Sequence, residues 1–88
     1  MSEQELQSKC IKYAKAKGYF VLKVIRCNVS GYPDCTLFKD GKTIFVEFKA
    51  ERGVQSELQK YVEKQLIDQG FKYYLIKSLE KFKEILAD

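Results

Sequence analysis

Histidine is missing altogether from this 88-residue sequence, and its absence restricts the chemistry that the chain can perform. Any general base, nucleophile or metal ligand has to come from Asp, Glu, Lys, Tyr, Ser, Thr or Cys. Cysteine does not supply a zinc site either, because the three cysteines are an odd number and show no CxxC spacing. We therefore predict no zinc centre, and we expect Cys10, Cys27 and Cys35 to be reduced, mostly buried thiols.

Proline, glycine and long apolar runs are also scarce. One proline, five glycines and no low-complexity segment argue against disorder. The longest apolar run is far too short to span a membrane, and the Ser-Glu-Gln start does not look like a signal peptide. We expect a soluble, cytoplasmic protein with no membrane partner. The length suits one domain, residues 1–88, whose small core would gain from oligomerisation.

The charge balance is mildly basic. Sixteen Lys and Arg residues against twelve Asp and Glu residues give a net charge of +4. This balance favours a polyanionic partner such as nucleic acid. Many basic domains bind no nucleic acid, so composition alone leaves both alternatives open.

Helices are predicted where a capping residue precedes apolar residues at helical spacing, and strands where β-branched and aromatic residues cluster. Ser2 with Glu5 and Ser56 with Gln59 have the capping-box pattern. Asp40-Gly41 is a type I′ hairpin signal. The predicted helices cover residues 2–17, 56–69 and 78–86, and the predicted strands cover residues 19–26, 34–39, 42–49 and 71–76.

The order of elements, α-β-β-β-α-β-α, predicts an α/β fold with a four-stranded mixed sheet flanked by helices. The first three strands can form an antiparallel meander, and the fourth can lie parallel to its neighbour through a right-handed crossover. The second helix is expected to bury one apolar stripe. That stripe consists of Leu58, Tyr61, Val62, Gln65 and Leu66.

The hairpin brings two carboxylates together. With Asp40-Gly41 as the turn, Cys35 faces Val46 and Asp34 faces Glu47. Side chains alternate between the faces of a strand, so Asp34, Glu47 and Lys49 share the face opposite the core.

Two opposed carboxylates lie about 4.5–5.5 Å apart at their Cβ atoms and repel each other. A hard divalent cation such as Mg²⁺ would relieve this repulsion, and a water bound to it beside Lys49 is a candidate nucleophile. The alternative is that Asp34 and Glu47 are ordinary polar residues at a sheet end, with Lys49 as their ion-pair partner. A one-residue bulge would also undo the pairing.

The spacing Gly31-Tyr32-Pro33-Asp34 and then Glu47-Phe48-Lys49 resembles the PD-(D/E)XK nuclease signature, and the α-β-β-β-α-β order resembles the restriction-endonuclease-like core of that superfamily. More narrowly, GxPD, a hairpin, VEFKAERG and then SELQ resemble the stand-alone virus-type replication-repair (VRR-NUC) nucleases, which are often phage-encoded. The resemblance extends from Glu5 to Leu86.

This resemblance implies roles for the central residues. Asp34 and Glu47 would hold Mg²⁺ or Mn²⁺, with the Phe48 backbone carbonyl as a further ligand. Lys49 would orient or activate the attacking water and stabilise charge that develops on the phosphate.

The family also uses a glutamate on the first helix and a glutamine on the second, which match Glu5 and Gln59. Glu5 would contribute to the metal site, directly or through water, and both residues would be part of the catalytic site. The alternative for each is a purely structural role, since both already act as capping-box partners.

A phosphate-rich ligand would suit the residues around this motif. A solvated basic edge is the alternative for each of them. The candidate DNA contacts are Arg26, Asn28, Ser30 and the Gly31 amide before Asp34, Arg52 after the third strand, and Lys9 and Lys12 on the first helix.

The sequence therefore predicts a Mg²⁺- or Mn²⁺-dependent deoxyribonuclease that leaves 5′-phosphate ends on branched DNA such as four-way junctions. A homodimer is expected, in part because Ile11 and Ile67 lie off their helix stripes. A flap or single-strand nuclease is an alternative within the same class. A non-catalytic nucleic-acid-binding module is an alternative from another class, against which the intact Asp34, Glu47 and Lys49 set argues.

Overall fold

The computed structural model describes residues 1–87, and within that range it contains three helices and four strands in the predicted order. Both predicted capping boxes are formed, at Ser2 with Glu5 and at Ser56 with Gln59. The Ser78 hydroxyl accepts a hydrogen bond from the Lys81 amide and caps the last helix. The elements are α1 (Glu3–Ala16), β1 (Phe20–Lys23), β2 (Cys35–Lys39), β3 (Lys42–Phe48), α2 (Glu57–Asp68), β4 (Lys72–Ile76) and α3 (Leu79–Leu86).

The sheet has the strand order β1-β2-β3-β4. The first three strands are antiparallel, and β4 lies parallel to β3, as the sequence predicts. Asp40 and Gly41 both have positive φ, 52° and 77°, which a type I′ turn requires at its two central residues. The resulting register pairs Cys35 with Val46, as expected from the hairpin.

One face of the sheet packs against α1 and α3 and forms the apolar core. The side chains at its centre are completely buried, which provides most of the hydrophobic stabilisation of so small a chain. They include Cys10, Cys35, Leu37, Val46, Phe48, Ile76 and Phe82. Cys10 and Cys35 are buried free thiols as predicted, whereas Cys27 is exposed.

The opposite face is covered by α2, which packs on β4. The predicted buried stripe of α2 is wrong at three positions, since Leu58, Tyr61 and Gln65 are exposed. The face of α2 that turns to the sheet instead combines Val62 with polar Gln59, because the Gln59 amide hydrogen-bonds to Glu47. The helix is rotated toward the polar residues of the sheet, and its apolar flank is left facing solvent.

The first strand is shorter than predicted, because the regular pairing with β2 ends at Lys23. Residues 24–33 form a connecting loop that the sequence had placed partly in the strand. Of the two apolar residues that lie off their helix stripes, Ile67 is exposed and Ile11 is partly buried. No helix within residues 1–87 is long and apolar enough to cross a membrane.

Candidate active site

The candidate site lies where β2 begins and β3 ends. The loop reaches it through Gly31, whose φ of 82° lies in the region that favours glycine. A Cβ on Gly31 would lie 2.6 Å from the backbone carbonyl carbon of Leu58. Only glycine allows this close approach, so the loop is held against the start of α2. The buried Pro33 then leads directly into Asp34.

Asp34 is fixed by the backbone of the neighbouring strand. Its Oδ2 accepts a hydrogen bond of 2.7 Å from the Phe48 amide. Asp34 lies one residue beyond the Cys35–Val46 pair, so it is directed to the same end of the sheet as Glu47, as the hairpin register predicts. The Asp34 carboxylate is therefore bound to the backbone of Phe48, which lies between Glu47 and Lys49 in the chain.

Glu47 is a buried acid, only 2% exposed. One carboxylate oxygen, Oε2, accepts a hydrogen bond of 2.8 Å from the Gln59 side-chain amide. The other, Oε1, is buried and has no hydrogen-bond partner among residues 1–87. Burial, followed by the nearby charge of Asp34, raises the pKa of Glu47 to about 8, and Lys49 partly opposes this shift. An orphaned carboxylate oxygen beside a second carboxylate is an environment that a cation would stabilise.

This donor set fits a hard divalent metal ion. Mg²⁺ is usually bound by one or two protein carboxylates and keeps its other positions for waters and phosphate oxygens. Within the part of the chain that the structure describes, no cluster of three or more His, Cys, Asp or Glu side chains forms a closed metal cage. Asp34 and Glu47 could hold such an ion as an open pair of ligands.

Lys49 lies at the end of β3, half-buried, and its backbone amide donates a hydrogen bond of 3.0 Å to the Ile76 carbonyl. The ion pairs between described residues lie on exposed helix surfaces, and none of them includes Lys49. The ion-pair alternative for Lys49 is therefore not seen in this structure. Its ammonium is close enough to lower the pKa of Glu47 and remains available to an anionic ligand.

Gln59 caps α2 and also contacts the buried acid Glu47. Its Oε1 accepts a hydrogen bond of 2.9 Å from the Ser56 amide and completes the capping box. Its Nε2 donates to Glu47, so the same side chain also orients the buried acid. A glutamine suits this position, because it carries an acceptor and a donor on one amide.

Glu5 is different. Its carboxylate accepts a hydrogen bond of 3.1 Å from the Ser2 amide, and the hydrogen bonds with Ser2 lower its pKa. No described contact links Glu5 to the site. The acid of α1 whose negative charge raises the pKa of Glu47 is Glu3. The role of Glu5 at the metal site stays a prediction.

A polar network beside Glu47 was not predicted from the sequence. The Gln55 side-chain amide donates to Glu63 at 3.1 Å and to the Tyr73 hydroxyl at 3.3 Å. Burial and then the charge of Glu47 raise the pKa of Tyr73. The pairing of Tyr73 with Phe45, two residues before Glu47, gives it the same sheet face as the acid. Only the position of Gln55 directly before the Ser56 cap hinted at this network.

The predicted DNA contacts fall into two groups. Five come from the segments that flank the acidic pair, where Arg26, Asn28, Ser30 and Arg52 are exposed and Gly31 is half-buried. Lys9 and Lys12 are exposed on α1, which packs on the core face of the sheet. The first group is thus continuous with Asp34 and Lys49 along the chain, whereas the second belongs to another layer of the fold.

The mixed sheet, the flanking helices and the acidic pair at the strand ends define an α/β fold of the restriction-endonuclease-like class. Two solved structures are similar over nearly the whole chain. A "VRR_NUC domain" is 22% identical and covers 96% of this chain and 92% of its own, with a TM-score of 0.86. A "VRR_NUC domain protein" is 15% identical and covers 98% and 85%, with a TM-score of 0.84. The fold is therefore that of a VRR_NUC domain. No protein-family model and no curated protein matches the sequence.

Proposed function

We propose that residues 1–88 form a single metal-dependent nuclease domain that hydrolyses DNA phosphodiester bonds. The observation that carries this proposal is the buried Glu47, whose Oε1 has no partner among residues 1–87 and whose neighbour is a second carboxylate. A buried acid of this kind lowers stability unless it serves a ligand. The similarity of the fold to VRR_NUC domains supports a nuclease over other metal-binding proteins.

Asp34 and Glu47, with the Phe48 carbonyl, would hold Mg²⁺ or Mn²⁺. When bound, such a metal lowers the pKa of a coordinated water and polarises the phosphate. The residues of the chain do the rest. The Phe48 amide holds Asp34 in place, and the Gln59 amide holds Glu47. Both carboxylates are thus oriented by hydrogen bonds from the protein itself, and such preorganisation favours catalysis.

Lys49 supplies the positive charge on the substrate side of this pair. Its ammonium is paired with no carboxylate within 4.0 Å in the described chain, so it can approach a phosphate oxygen or the attacking water. Negative charge grows on the phosphate as the water attacks, and a fixed cation there stabilises the transition state more than the ground state. The proposed products carry 5′-phosphate ends.

We propose branched DNA, such as a four-way junction, as the substrate and a homodimer as the active form. A two-fold dimer presents two identical sites, which suits paired cuts on a junction. The adjacent Leu58 and Tyr61 on the outer flank of α2 support a dimer, because both are exposed apolar residues on a small protein. A flap or single-strand nuclease is the alternative substrate choice.

The test is cleavage of a panel of four-way junction, flap, single-stranded and blunt duplex DNAs with Mg²⁺, Mn²⁺ or EDTA. We expect metal-dependent cuts in the branched substrates and none in EDTA. Metal should also raise the melting temperature of the wild type, since a ligand at 100 times its Kd contributes about 2.7 kcal/mol. Asp34→Asn should lose both effects. If Asp34→Asn keeps the same metal-dependent melting shift, Asp34 is not a ligand.

Light scattering at micromolar concentration and mapping of cuts on each labelled strand test the assembly. A dimer with symmetric nicks is the expected result. A monomer that cuts only flaps would reject the junction-resolving proposal and leave the nuclease proposal standing.

A further inference from the structure

A groove beside the candidate active site has no role in the chemistry described above. It has a volume of about 630 Å³ and lies between the end of β1 and the loop of residues 24–33. A second groove of about 300 Å³ shares several lining residues with it and reaches Gly31, Pro33 and Asp34. We call the two together the loop groove, whose lining residues extend from Leu22 to Asp34. Its walls include Leu22, Lys23, Ile25, Arg26, Val29 and Tyr32.

The walls of the loop groove are apolar and aromatic. Ile25 is 82% exposed, and Leu22 and Val29 are also exposed. The Tyr32 ring is held edge-on against Phe45, with 6.1 Å between ring centroids. A fixed aromatic ring among aliphatic side chains suits the flat face of a nucleobase, which stacks on such surfaces without regard to sequence.

The charge around the loop groove is positive. Lys23 and Arg26 line the wider groove, and Arg26 also lines the narrower one. Among the residues that line the two grooves, Asp34, the proposed metal ligand, is the one carboxylate. A phosphate backbone that follows the groove would therefore meet cations until it reaches the site.

The loop groove is held in a defined position relative to Asp34. The Val24 amide donates a hydrogen bond of 2.9 Å to the Asp34 carbonyl, which ties the start of the loop to the start of β2. At its other end the loop is held against Leu58 through Gly31. Between them, the Cys27 thiol donates to the Val29 carbonyl at 3.4 Å. A base bound here would be at a constant distance from the acidic pair.

We propose that the loop groove binds an unpaired nucleotide of the DNA strand and thereby delivers the adjoining phosphate to Asp34. This inference rests on the proposed nuclease function and adds a reason for its choice of substrate. A blunt duplex offers no unpaired base, whereas flaps and opened branch points do. A second copy of the chain is a less suitable occupant, because a two-fold contact would bring Lys23 and Arg26 close to the same residues of the other copy.

The first experiment measures binding without cleavage. Fluorescence anisotropy in EDTA compares a labelled eight-nucleotide oligothymidine with a blunt hairpin duplex. We expect the Ile25→Ser protein to bind the oligothymidine about ten-fold more weakly, with little change for the duplex. Ile25 is so exposed that its substitution should not affect folding. The matched control is Val54→Ser. Val54 is 78% exposed and follows β3 in the chain, but it lines neither groove. Its affinity for both DNAs should lie within about two-fold of the wild-type affinity.

The second experiment locates the base directly. An oligonucleotide that contains 4-thiothymidine is photo-crosslinked to the wild type, and the protein is digested with trypsin. We expect the adduct on the peptides of residues 18–23, 24–26 or 27–39, which contain the residues that line the loop groove. Adducts confined to other peptides would overturn the proposal, and so would unchanged oligothymidine binding by Ile25→Ser. A lower solution mass for Ile25→Ser with unchanged DNA binding would show that the groove contacts a second copy instead.

The two proposals fail separately. Binding and crosslinking are measured without metal, so they do not depend on catalysis. If no metal supports cleavage but Ile25→Ser still loses single-strand binding, the nuclease function is rejected and the groove assignment stands. If cleavage is metal-dependent but the crosslink lies elsewhere, the groove assignment is rejected and the nuclease function stands.

Discussion

The two faces of the sheet are built from alternate residues of the same strand, yet they serve opposite purposes. Val46 and Phe48 point to the α1–α3 face and are completely buried among apolar side chains. Glu47, between them, points to the α2 face and is almost as buried, but as an acid beside another acid. Burial stabilises the first face and costs free energy on the second. Apolar burial on one face of β3 thus stabilises the fold enough to offset the buried acid on the other face.

The largest expected effect is on the core face. Phe82→Ala should lower the free energy of unfolding by about 3–5 kcal/mol, because Phe82 is fully buried and the cavity would not close. Phe20→Ala is the matched control, since Phe20 is 71% exposed. It should cost less than about 1.5 kcal/mol, most of it from the ring contact with Phe38. Urea unfolding of both proteins measures the difference, and equal losses would contradict the assignment of the core.

On the site face, Lys49→Ala should reduce cleavage by about 10²–10³-fold without a change in the far-UV circular dichroism spectrum. The reason is that its ammonium is proposed to stabilise charge on the phosphate and not the fold. Lys72→Ala removes the same charge at the far end of β4 and controls for net charge. If Lys49→Ala cleaves DNA within a few-fold of the wild-type rate, Lys49 does not have the catalytic role proposed for it.

The buried acid also predicts a pH dependence of stability. The pKa of Glu47 is raised to about 8 in the folded protein from an ordinary value of 4.5. Between these values the unfolded chain has released its proton and the folded chain has not. The metal-free protein should therefore lose stability as pH rises from 4.5 toward 8, by at most about 1.4 kcal/mol per pH unit, and level off above that range.

Chemical denaturation in EDTA across this pH range measures the slope. Glu47→Gln should remove most of it, because the amide does not titrate. Glu80→Gln, at an exposed glutamate of α3, is the control and should behave like the wild type. A wild-type protein whose stability rises steadily between pH 5 and 8 would contradict the raised pKa.

The smallest predicted effect separates two acids of α1. Glu3→Gln should lower the pKa of Glu47, because Glu3 contributes to raising it. Glu5→Gln should leave that pKa unchanged and weaken the capping box with Ser2 instead. Carbon-detected NMR titration of the Glu47 carboxyl in metal-free protein would report both changes. A larger shift from Glu5→Gln than from Glu3→Gln would restore Glu5 as the acid near the site.

Short-range patterns in the sequence predict the structure correctly where a single local interaction determines it. Both capping boxes and the Asp40-Gly41 turn depend on residues a few positions apart, and all three are formed. The turn sets the register of the hairpin, and the register sets the side chains that share a face with Glu47. This is why an acidic pair could be predicted without a structure.

The sequence patterns are wrong where contacts with a distant part of the chain determine which residues are buried or where a strand ends. Apolar spacing in α2 predicted that Leu58 and Tyr61 are buried, whereas the helix turns Gln59 toward Glu47. The strand predicted to continue to residue 26 ends at Lys23, and the remainder forms the loop tied to Asp34 by Val24. In both cases polar contacts near the site outweighed the local preference of the sequence.

The sequence by itself determined the order of the elements, the hairpin register and the alternation that sends Asp34, Glu47 and Lys49 to one face, since all of these follow from short-range geometry. Only the tertiary structure decided the burial of Glu47, its hydrogen bond with Gln59, the effect of the Glu3 charge on the pKa of Glu47, and the groove beside Asp34. These features depend on how α2 and the loop of residues 24–33 pack on the sheet. Packing joins residues that are far apart in the chain, and its outcome is set by the sum of many small contacts that no local pattern contains.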